Sequence, residues 1–341
     1  MKLSDTRTTN IESGQTIKIE FPGLFDLQVN GFNGVDFNNP LTTTDDMFHA
    51  INSLRATGVT RFLPTLITSS LERFSKCAKT LTRIQLPEIV GIHMEGPYVC
   101  PEGGTRGAHP CEHVIAASID DFTRRQEAAG GRIRLVTLAP EVHGAIRLIE
   151  YLVTSDIRVA IGHTAASPEQ IRDAVKAGAT LSTHLGNGCA HSLPRHPNFI
   201  WEQLANDDLS ASLIVDGHHL PPATVKAMIR AKTPGRTLLV TDAVAAAGCA
   251  PGTYELNGEQ VLLSEDGRVS PPGKPWMAGS AITLEQAMAN TVKFTGLPLE
   301  KVLPMASTQP AKYLGITTFG QVTADWNSAE CRLSNLKVSD S

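Results

Sequence analysis

The 341-residue chain lacks a strong excess of either charge, and it lacks long apolar runs. Its formal net charge is −4, which gives no electrostatic reason to expect a nucleic-acid or anionic-membrane partner. No stretch approaches the roughly 18 uninterrupted apolar residues of a transmembrane helix. Residues 1–13 are polar and rich in threonine, without the apolar core of a signal peptide. We therefore expect a cytoplasmic protein with neither a nucleic-acid nor a membrane partner.

Paired cysteines and dinucleotide-binding motifs are also missing. The six cysteines are scattered, with no CxxC pair, which favours reduced thiols over a disulfide framework. No GxGxxG follows the first apolar run, and this weakens a dinucleotide-binding interpretation. Internal repeats and low-complexity tracts are absent as well, so the chain is expected to fold as an ordinary enzyme-sized domain.

Short apolar runs alternate with longer amphipathic stretches from about residue 21 onward. The strand-like runs lie at 24–29, 61–67, 89–94, 133–138, 157–161, 180–184, 211–215 and 237–240. Helical spacing is found between them, for example at 44–56, 71–84, 142–154 and 224–232. A further helix is predicted to begin after Ser167, with Pro168 in its first turn and Gln170 completing a capping box, and to end at Gly178.

Eight strand–helix repeats predict an α/β fold, a TIM-type (β/α)₈ barrel with right-handed crossovers. We assign the barrel to residues 21–315. Residues 252–273 are predicted to form a β-hairpin insertion, because Asn257-Gly258 and Asp266-Gly267 are typical turn pairs. The polar termini, 1–20 and 316–341, carry weak strand signals, and we expect them to pair as a reduced small β element.

Polar residues follow the carboxyl ends of several predicted strands, where a TIM barrel presents its chemistry. Glu95, His163, His184 and Asp242 each stand at the carboxyl end of an apolar run or within two residues after it. One histidine in such a place is more often structural, and one aspartate is usually a cap or a turn former. Taken together, they predict a shared site on one face of the barrel.

A glutamate with two histidines is a plausible three-ligand set for one divalent ion. An aspartate on the same face can accept a proton from water that the ion acidifies. We expect one divalent ion per subunit, with Zn²⁺ preferred and Fe²⁺, Co²⁺ or Mn²⁺ left open by this donor set.

At these residues the sequence resembles the N-acetylglucosamine-6-phosphate deacetylase family of the amidohydrolase superfamily. The resemblance covers about 21–315. Its motifs lie at 22–31, 63–68, 93–97, 107–109, 162–164, 183–187, 216–219, 241–243 and 278–280. The segment 186–198 is distinctive, and it adds His191 and His196.

The resemblance implies a single metal on Glu95, His163 and His184, with Asp242 as the general base and then the acid. It implies that His109 polarises the acetyl carbonyl. The substrate-binding residues that it implies are His219, Arg195, Asn187, Gly188, Gln28 and Asn30.

Two of these assignments carry further implications. Gln28 and Asn30 stand where many amidohydrolases have a metal-binding His-x-His, and we expect them to donate hydrogen bonds instead of binding a second metal. Arg195 stands where the family has a phosphate-binding arginine that reaches a neighbouring subunit, which implies a homodimer.

The predicted function is removal of the N-acetyl group from an amino-sugar phosphate, giving acetate and an amino sugar. N-acetylglucosamine 6-phosphate is the expected substrate. An amidohydrolase acting on another N-acyl sugar, an N-acyl amino acid or a cyclic amide is the alternative. A barrel without activity, kept as a binding or scaffold protein, is an alternative of another class, and the complete Glu/His/His/Asp set argues against it.

Overall fold

The computed structural model describes residues 16–274 and 276–340, and its elements are numbered in chain order. The strands are β1 (Thr16–Pro22), β2 (Leu24–Val29), β3 (Gly31–Phe32), β4 (Val35–Asp36), β5 (Val59–Ile67), β6 (Ile92–Glu95), β7 (Ile133–Leu138), β8 (Arg158–Ile161), β9 (Leu181–Ser182), β10 (Ser210–Leu213), β11 (Thr237–Leu239), β12 (Gly252–Leu256), β13 (Glu259–Leu263), β14 (Val269–Ser270), β15 (Gln321–Asn327) and β16 (Arg332–Ser339).

The α-helices are α1 (Thr44–Ala56), α2 (Leu71–Thr82), α3 (Ile119–Ala128), α4 (Ala145–Thr154), α5 (Pro168–Ala177), α6 (Phe199–Ala205), α7 (Pro222–Lys232), α8 (Leu284–Thr295), α9 (Leu299–Val302) and α10 (Thr308–Tyr313). Short 3₁₀ turns lie at Cys111–His113, Pro234–Arg236 and Leu303–Ala306. In the part of the chain that the structure describes, no helix has the length and apolar character to cross a membrane.

Eight parallel strands form the central sheet, in the order β11-β10-β9-β8-β7-β6-β5-β2. The two ends of this sheet meet just beyond β11, where Val29 and Ala243 form a parallel bridge. There the amide of Asp242 donates to the Gln28 carbonyl at 3.0 Å. The predicted (β/α)₈ barrel is therefore confirmed, and its closure lies beside two of the predicted site residues.

Several strands are shorter than the apolar pattern predicts. The run at 180–184 contains only the two-residue strand β9, and β6 begins at Ile92 instead of residue 89. His184 has a positive φ of 30°, so its backbone has left the extended conformation of a strand. The apolar pattern identifies buried residues, and residues of these runs remain buried beyond the last residue that pairs with a neighbouring strand.

Helix α1 has the predicted bounds, whereas α2 ends at Thr82 instead of 84, and α4 and α7 begin at Ala145 and Pro222 instead of at 142 and 224. Thr43 and Asp46 form a capping box at the start of α1. The predicted capping box of Ser167 and Gln170 is confirmed at the start of α5, and Gly178 ends that helix in the left-handed conformation with φ 111°. Their buried faces cover a barrel whose strands β2 and β6 are buried at every residue, as expected for a parallel sheet.

The two ends of the described chain pair with each other, as predicted, in an antiparallel sheet of order β1-β15-β16. Alternate residues of β15 are buried, and Val322, Ala324 and Trp326 join the main hydrophobic core. One face of the sheet therefore packs on the barrel. The predicted small element includes residues 1–15, which lie outside the described residues.

Strands β12, β13 and β14 form a separate antiparallel sheet at the barrel mouth. Residues of this sheet, including Leu256 and Val261, form a small hydrophobic cluster with Val244 and Ala278. Both turns of the sheet are tied to the barrel. The amide of Asn257 donates to Asp36 at 2.7 Å, and His218 Nε2 lies 2.9 Å from the Asp266 carbonyl oxygen.

Gly23 joins the terminal sheet to the barrel, and we predict that Gly23→Ala is destabilising. An added Cβ would lie 2.1 Å from the Thr60 hydroxyl oxygen and 2.3 Å from the Phe319 carbonyl oxygen. Forcing atoms apart in a packed site costs about 1–3 kcal/mol, so the free energy of unfolding in urea should fall by that amount. Gly235→Ala is the control, because nothing lies within 4 Å of its added Cβ. Equal stability of the two variants would contradict the prediction.

Candidate active site

A cavity of about 690 Å³ opens at the carboxyl ends of the barrel strands. Its size is typical of a small-molecule site. Predicted site residues that line it are Asn30, Glu95, His109, His163, His184, Asn187, Gly188, His219 and Asp242. The tertiary structure thus brings most of the predicted residues to one cavity.

Glu95, His163 and His184 converge at the base of this cavity, and all three are buried. His184 Nε2 lies 3.0 Å from Glu95 Oε1, and His163 Nε2 lies 3.4 Å from the same oxygen. Glu95 ends β6, whereas His163 and His184 follow β8 and β9, so the barrel fold brings together residues that are far apart in the chain.

Three of the strand-end residues have a left-handed backbone that is uncommon for side chains other than glycine. The φ angles are 49° at His163, 30° at His184 and 52° at Asp242. Such conformations carry a local strain of about 1–3 kcal/mol and are concentrated at functional sites. All three residues, which follow β8, β9 and β11, line the same cavity.

His163 is held from both sides by glycine-rich segments. Its Nδ1 lies 3.1 Å from the Thr105 carbonyl oxygen. A hydrogen bond to this oxygen holds the ring proton on Nδ1, so Nε2, which lies beside Glu95, keeps its lone pair. A Cβ on Gly188 would come within 2.7 Å of the His163 ring, and one on Gly107 within 3.3 Å. Glycine is required where these loops approach the ring.

Asp242 receives hydrogen bonds from the two amide side chains of β2 and the residue after it. Asn30 Nδ2 donates to Asp242 Oδ1 at 2.6 Å. Gln28 Nε2 donates both to Asp242 Oδ1 at 3.1 Å and to Glu95 Oε1 at 2.9 Å. Burial, together with the negative charge of Glu95, raises the pKa of Asp242 to about 6. A carboxyl with this pKa can exchange protons near neutral pH.

His109 stands over Glu95 from the loop between β6 and α3. Its Nδ1 lies 2.7 Å from the Thr68 hydroxyl, and its Nε2 lies 3.9 Å from Glu95 Oε2. Burial, reinforced by the charge of His163, holds the pKa of His109 well below its ordinary value. The imidazole is therefore neutral at physiological pH.

Of the residues predicted to bind the sugar and its phosphate, some line the cavity and Arg195 does not. His219 lines the cavity, and its Nδ1 lies 2.6 Å from Asp216 Oδ2. Asn187 and Gly188 line the same cavity. Arg195 is exposed and is not among the residues that line it. Within one chain, the structure does not bring Arg195 to the other site residues.

The donor set fits a divalent ion. Ligand atoms at about 2.0–2.1 Å from a tetrahedral ion are separated from one another by about 3.3–3.4 Å, close to the 3.0 Å and 3.4 Å separations from Glu95 Oε1. The ligand atoms of Glu95, His163 and His184 all lie within 4.8 Å of one another. A carboxylate and two imidazoles could hold one ion with positions left for water and substrate.

Sequence reasoning did not identify the residues that hold the site residues in place. Thr68 contacts His109, the Thr105 carbonyl contacts His163, and Asp216 contacts His219. Thr68 and Asp216 lie in motifs of the resemblance, but a backbone carbonyl such as that of Thr105 leaves no trace in residue type. His93 also belongs to a motif, yet it is buried beneath the site and contacts the Leu27 carbonyl and Thr137.

The chain is similar to known hydrolases over most of its length. The model of the amidohydrolase family matches residues 19–326. The N-acetylglucosamine-6-phosphate deacetylase of Lysinibacillus sphaericus is 31% identical over 317 residues, covering 91% of this chain and 80% of that protein. The N-acetylgalactosamine-6-phosphate deacetylase of Escherichia coli O157:H7 is 33% identical over 300 residues, covering 86% and 78%.

A solved structure has the same fold. It is a mutant N-acetyl-D-glucosamine-6-phosphate deacetylase of Mycobacterium smegmatis in complex with N-acetyl-D-glucosamine-6-phosphate. The TM-score is 0.86 at 29% identity, and the match covers 93% of this chain and 85% of that one. Family and fold similarities therefore span the barrel together with its terminal sheet.

We predict that Gly188→Ala weakens metal binding, because the added Cβ would push the His163 ring from its place. Loss of a group that orients a metal ligand typically lowers affinity about 10–100-fold. Metal content after dialysis against a graded chelator series measures the change. Gly103→Ala is the matched control, since it lines the same cavity and nothing lies within 4 Å of its added Cβ. Unchanged metal affinity in Gly188→Ala would refute the packing argument.

Proposed function

Because this chain belongs to the amidohydrolase family, and within it to the N-acetylglucosamine-6-phosphate deacetylases, we propose that it hydrolyses the N-acetyl group of an amino-sugar phosphate. N-acetylglucosamine 6-phosphate is the preferred substrate, and the products are acetate and glucosamine 6-phosphate. The observation that carries the proposal is the buried Glu95, His163 and His184 cluster in one cavity with Asp242.

Glu95, His163 and His184 would hold one divalent ion per subunit. The bound ion would acidify a water molecule and polarise the acetyl carbonyl. Zn²⁺ suits a carboxylate with two imidazoles, and Fe²⁺, Co²⁺ and Mn²⁺ suit the same donors. Gln28 and Asn30 serve as hydrogen-bond donors to Glu95 and Asp242, and this role supports a single-ion site.

Asp242 is the proposed general base and acid. Its raised pKa of about 6 lets the carboxylate take a proton from water and return it to the leaving amine. Asn30 and Gln28 both donate to Oδ1, which orients the carboxylate. Proton return to the nitrogen completes the reaction, because an amine leaves readily only after it is protonated.

His109 is the proposed donor to the acetyl oxygen as negative charge develops there. When the Thr68 hydroxyl donates to Nδ1, the proton of the neutral imidazole is carried by Nε2 on the cavity side. A fixed donor at the developing oxyanion is a large contribution to catalysis. The low pKa of His109 supports this role, since a neutral ring keeps the Thr68 hydrogen bond.

The remaining assignments concern the sugar and its phosphate. His219, oriented by Asp216, is the proposed sugar contact, with Asn187 and Gly188 beside it. Arg195 is exposed, which suits a residue that completes the phosphate site of a second subunit in a homodimer through its planar guanidinium. The six free cysteines support a cytoplasmic location.

A substrate panel tests the assignment. We expect kcat/KM to be highest for N-acetylglucosamine 6-phosphate and about 100-fold lower for the unphosphorylated sugar, since charged hydrogen bonds to phosphate are each worth about 1.5–3 kcal/mol. The panel includes the galactosamine isomer, because a relative with 33% identity, against 31% for the glucosamine enzyme of Lysinibacillus sphaericus, bears that name. Equal kcat/KM with and without phosphate would exclude an amino-sugar phosphate as the substrate and favour another N-acyl compound.

Two substitutions separate metal binding from proton transfer. Asp242→Asn should lower kcat about 10²–10⁴-fold, the usual contribution of a general acid–base group, while the metal content stays at wild-type level. His163→Ala should lose both metal and turnover. Elemental analysis and steady-state kinetics on the same preparations provide the measurement. Full activity in Asp242→Asn would contradict its role as general base and acid, and absence of both metal and turnover in the wild type would support the inactive scaffold.

A further inference from the structure

The residues that line the cavity include a small apolar group outside the loops that carry the proposed chemistry. Leu256 is the last residue of β12, and Trp276 and Met277 follow β14 along the chain. The proposed chemistry and the proposed sugar contact His219 use none of these three residues, so their part in ligand recognition is open to assignment.

The Trp276 segment is fixed at two points immediately downstream of the indole. The Ala278 amide donates to the Val269 carbonyl of β14 at 3.2 Å. The Ser280 amide donates to the Asp242 carbonyl at 3.0 Å, and the Ser280 hydroxyl donates to the Thr241 carbonyl at 2.6 Å. Trp276 is therefore four residues before Ser280, whose amide is hydrogen-bonded to the backbone carbonyl of Asp242, the proposed general base.

Trp276 lines the cavity and is nevertheless 44% exposed. Lys274 lies over its ring, with Nζ 5.3 Å from the centroid, a cation–π contact that holds the indole at the rim. A large aromatic side chain left half-exposed at a cavity mouth is the type of group that dominates binding once a ligand covers it. The adjacent ammonium gives this rim a positive charge.

We propose that Trp276 is a substrate-binding residue whose indole packs against the C–H face of the amino-sugar ring, with Lys274 on the same rim beside an anionic substituent. This inference rests on the proposed function and deepens it, because it adds to His219 a second contact with the sugar ring, from the segment that follows β14. The indole contacts the part of the substrate that does not react. It therefore contributes mainly to binding, and less to the chemical step.

Kinetics of three variants test the proposal with N-acetylglucosamine 6-phosphate. Trp276→Ala should raise KM about 10-fold with kcat within about two-fold of wild type, and Trp276→Phe should recover much of the loss. Trp201→Ala is the matched control, because Trp201 is 56% exposed and is not among the residues lining the cavity. Unchanged KM in Trp276→Ala, or an equal rise in Trp201→Ala, would overturn the proposal.

Fluorescence gives a readout that does not depend on turnover. Titration with the product, glucosamine 6-phosphate, should change the indole emission of the wild type and of Trp201→Phe, and should leave Trp276→Phe unchanged. A change that persists in Trp276→Phe would also overturn the proposal. Failure of the proposed function has a different signature, because the wild type would then hydrolyse none of the amino-sugar phosphates in the panel.

Discussion

Backbone hydrogen bonds between β2 and the segment after β11 close the barrel, and the site depends on this closure. The Asp242 amide donates to the Gln28 carbonyl at 3.0 Å, and the Asn30 amide donates to the Ala243 carbonyl at 2.7 Å. Because side chains alternate along a strand, the closure places the amides of Gln28 and Asn30 against the Asp242 carboxylate. Residues more than 200 positions apart in the chain thereby form one hydrogen-bonded unit. The first and last strands supply the proposed acid–base group and its donors, while the strands between them supply the three residues proposed to bind the metal.

The buried Glu95 carboxylate sets the electrostatics inside this ring. A buried charge is costly unless it is paired and hydrogen-bonded, and Glu95 receives Gln28 Nε2 and lies against two imidazoles. Burial alone would raise its pKa, but the hydrogen bonds and charges of His163 and His184 outweigh burial and hold the pKa well below its ordinary value. The carboxylate is thus kept ionised, which is the form that binds a cation. The same negative charge helps to raise the pKa of Asp242, so Glu95 supports both the proposed metal binding and the proposed proton transfer.

Around this centre, rigid strand ends carry the chemistry and loops adapt the cavity to its ligand. The glycines at 107 and 188 let two loops lie against the His163 ring, so the ring is fixed by packing as well as by the Thr105 carbonyl. The sheet of β12, β13 and β14 follows the last barrel strand in the chain, and hydrogen bonds to Asp36 and His218 attach it to the barrel. This division is typical of barrel enzymes, in which loops vary the specificity over a constant set of strand ends.

The sequence by itself determined the periodicity of the elements, and with it the barrel, the start and end of α5, and the positions of Glu95, His163, His184 and Asp242 at strand ends. These features are local, because burial, capping and residue type act over a few neighbouring positions. The tertiary structure alone decided which strand-end residues touch, since distances between strands depend on closure and stagger. It also decided the partners of each histidine, because Thr68, Asp216 and the Thr105 carbonyl are brought close only by the fold. Trp276 is a further example. The sequence gives its residue type, but its place in the cavity depends on the hydrogen bonds that Ala278 and Ser280 make to Val269 and Asp242.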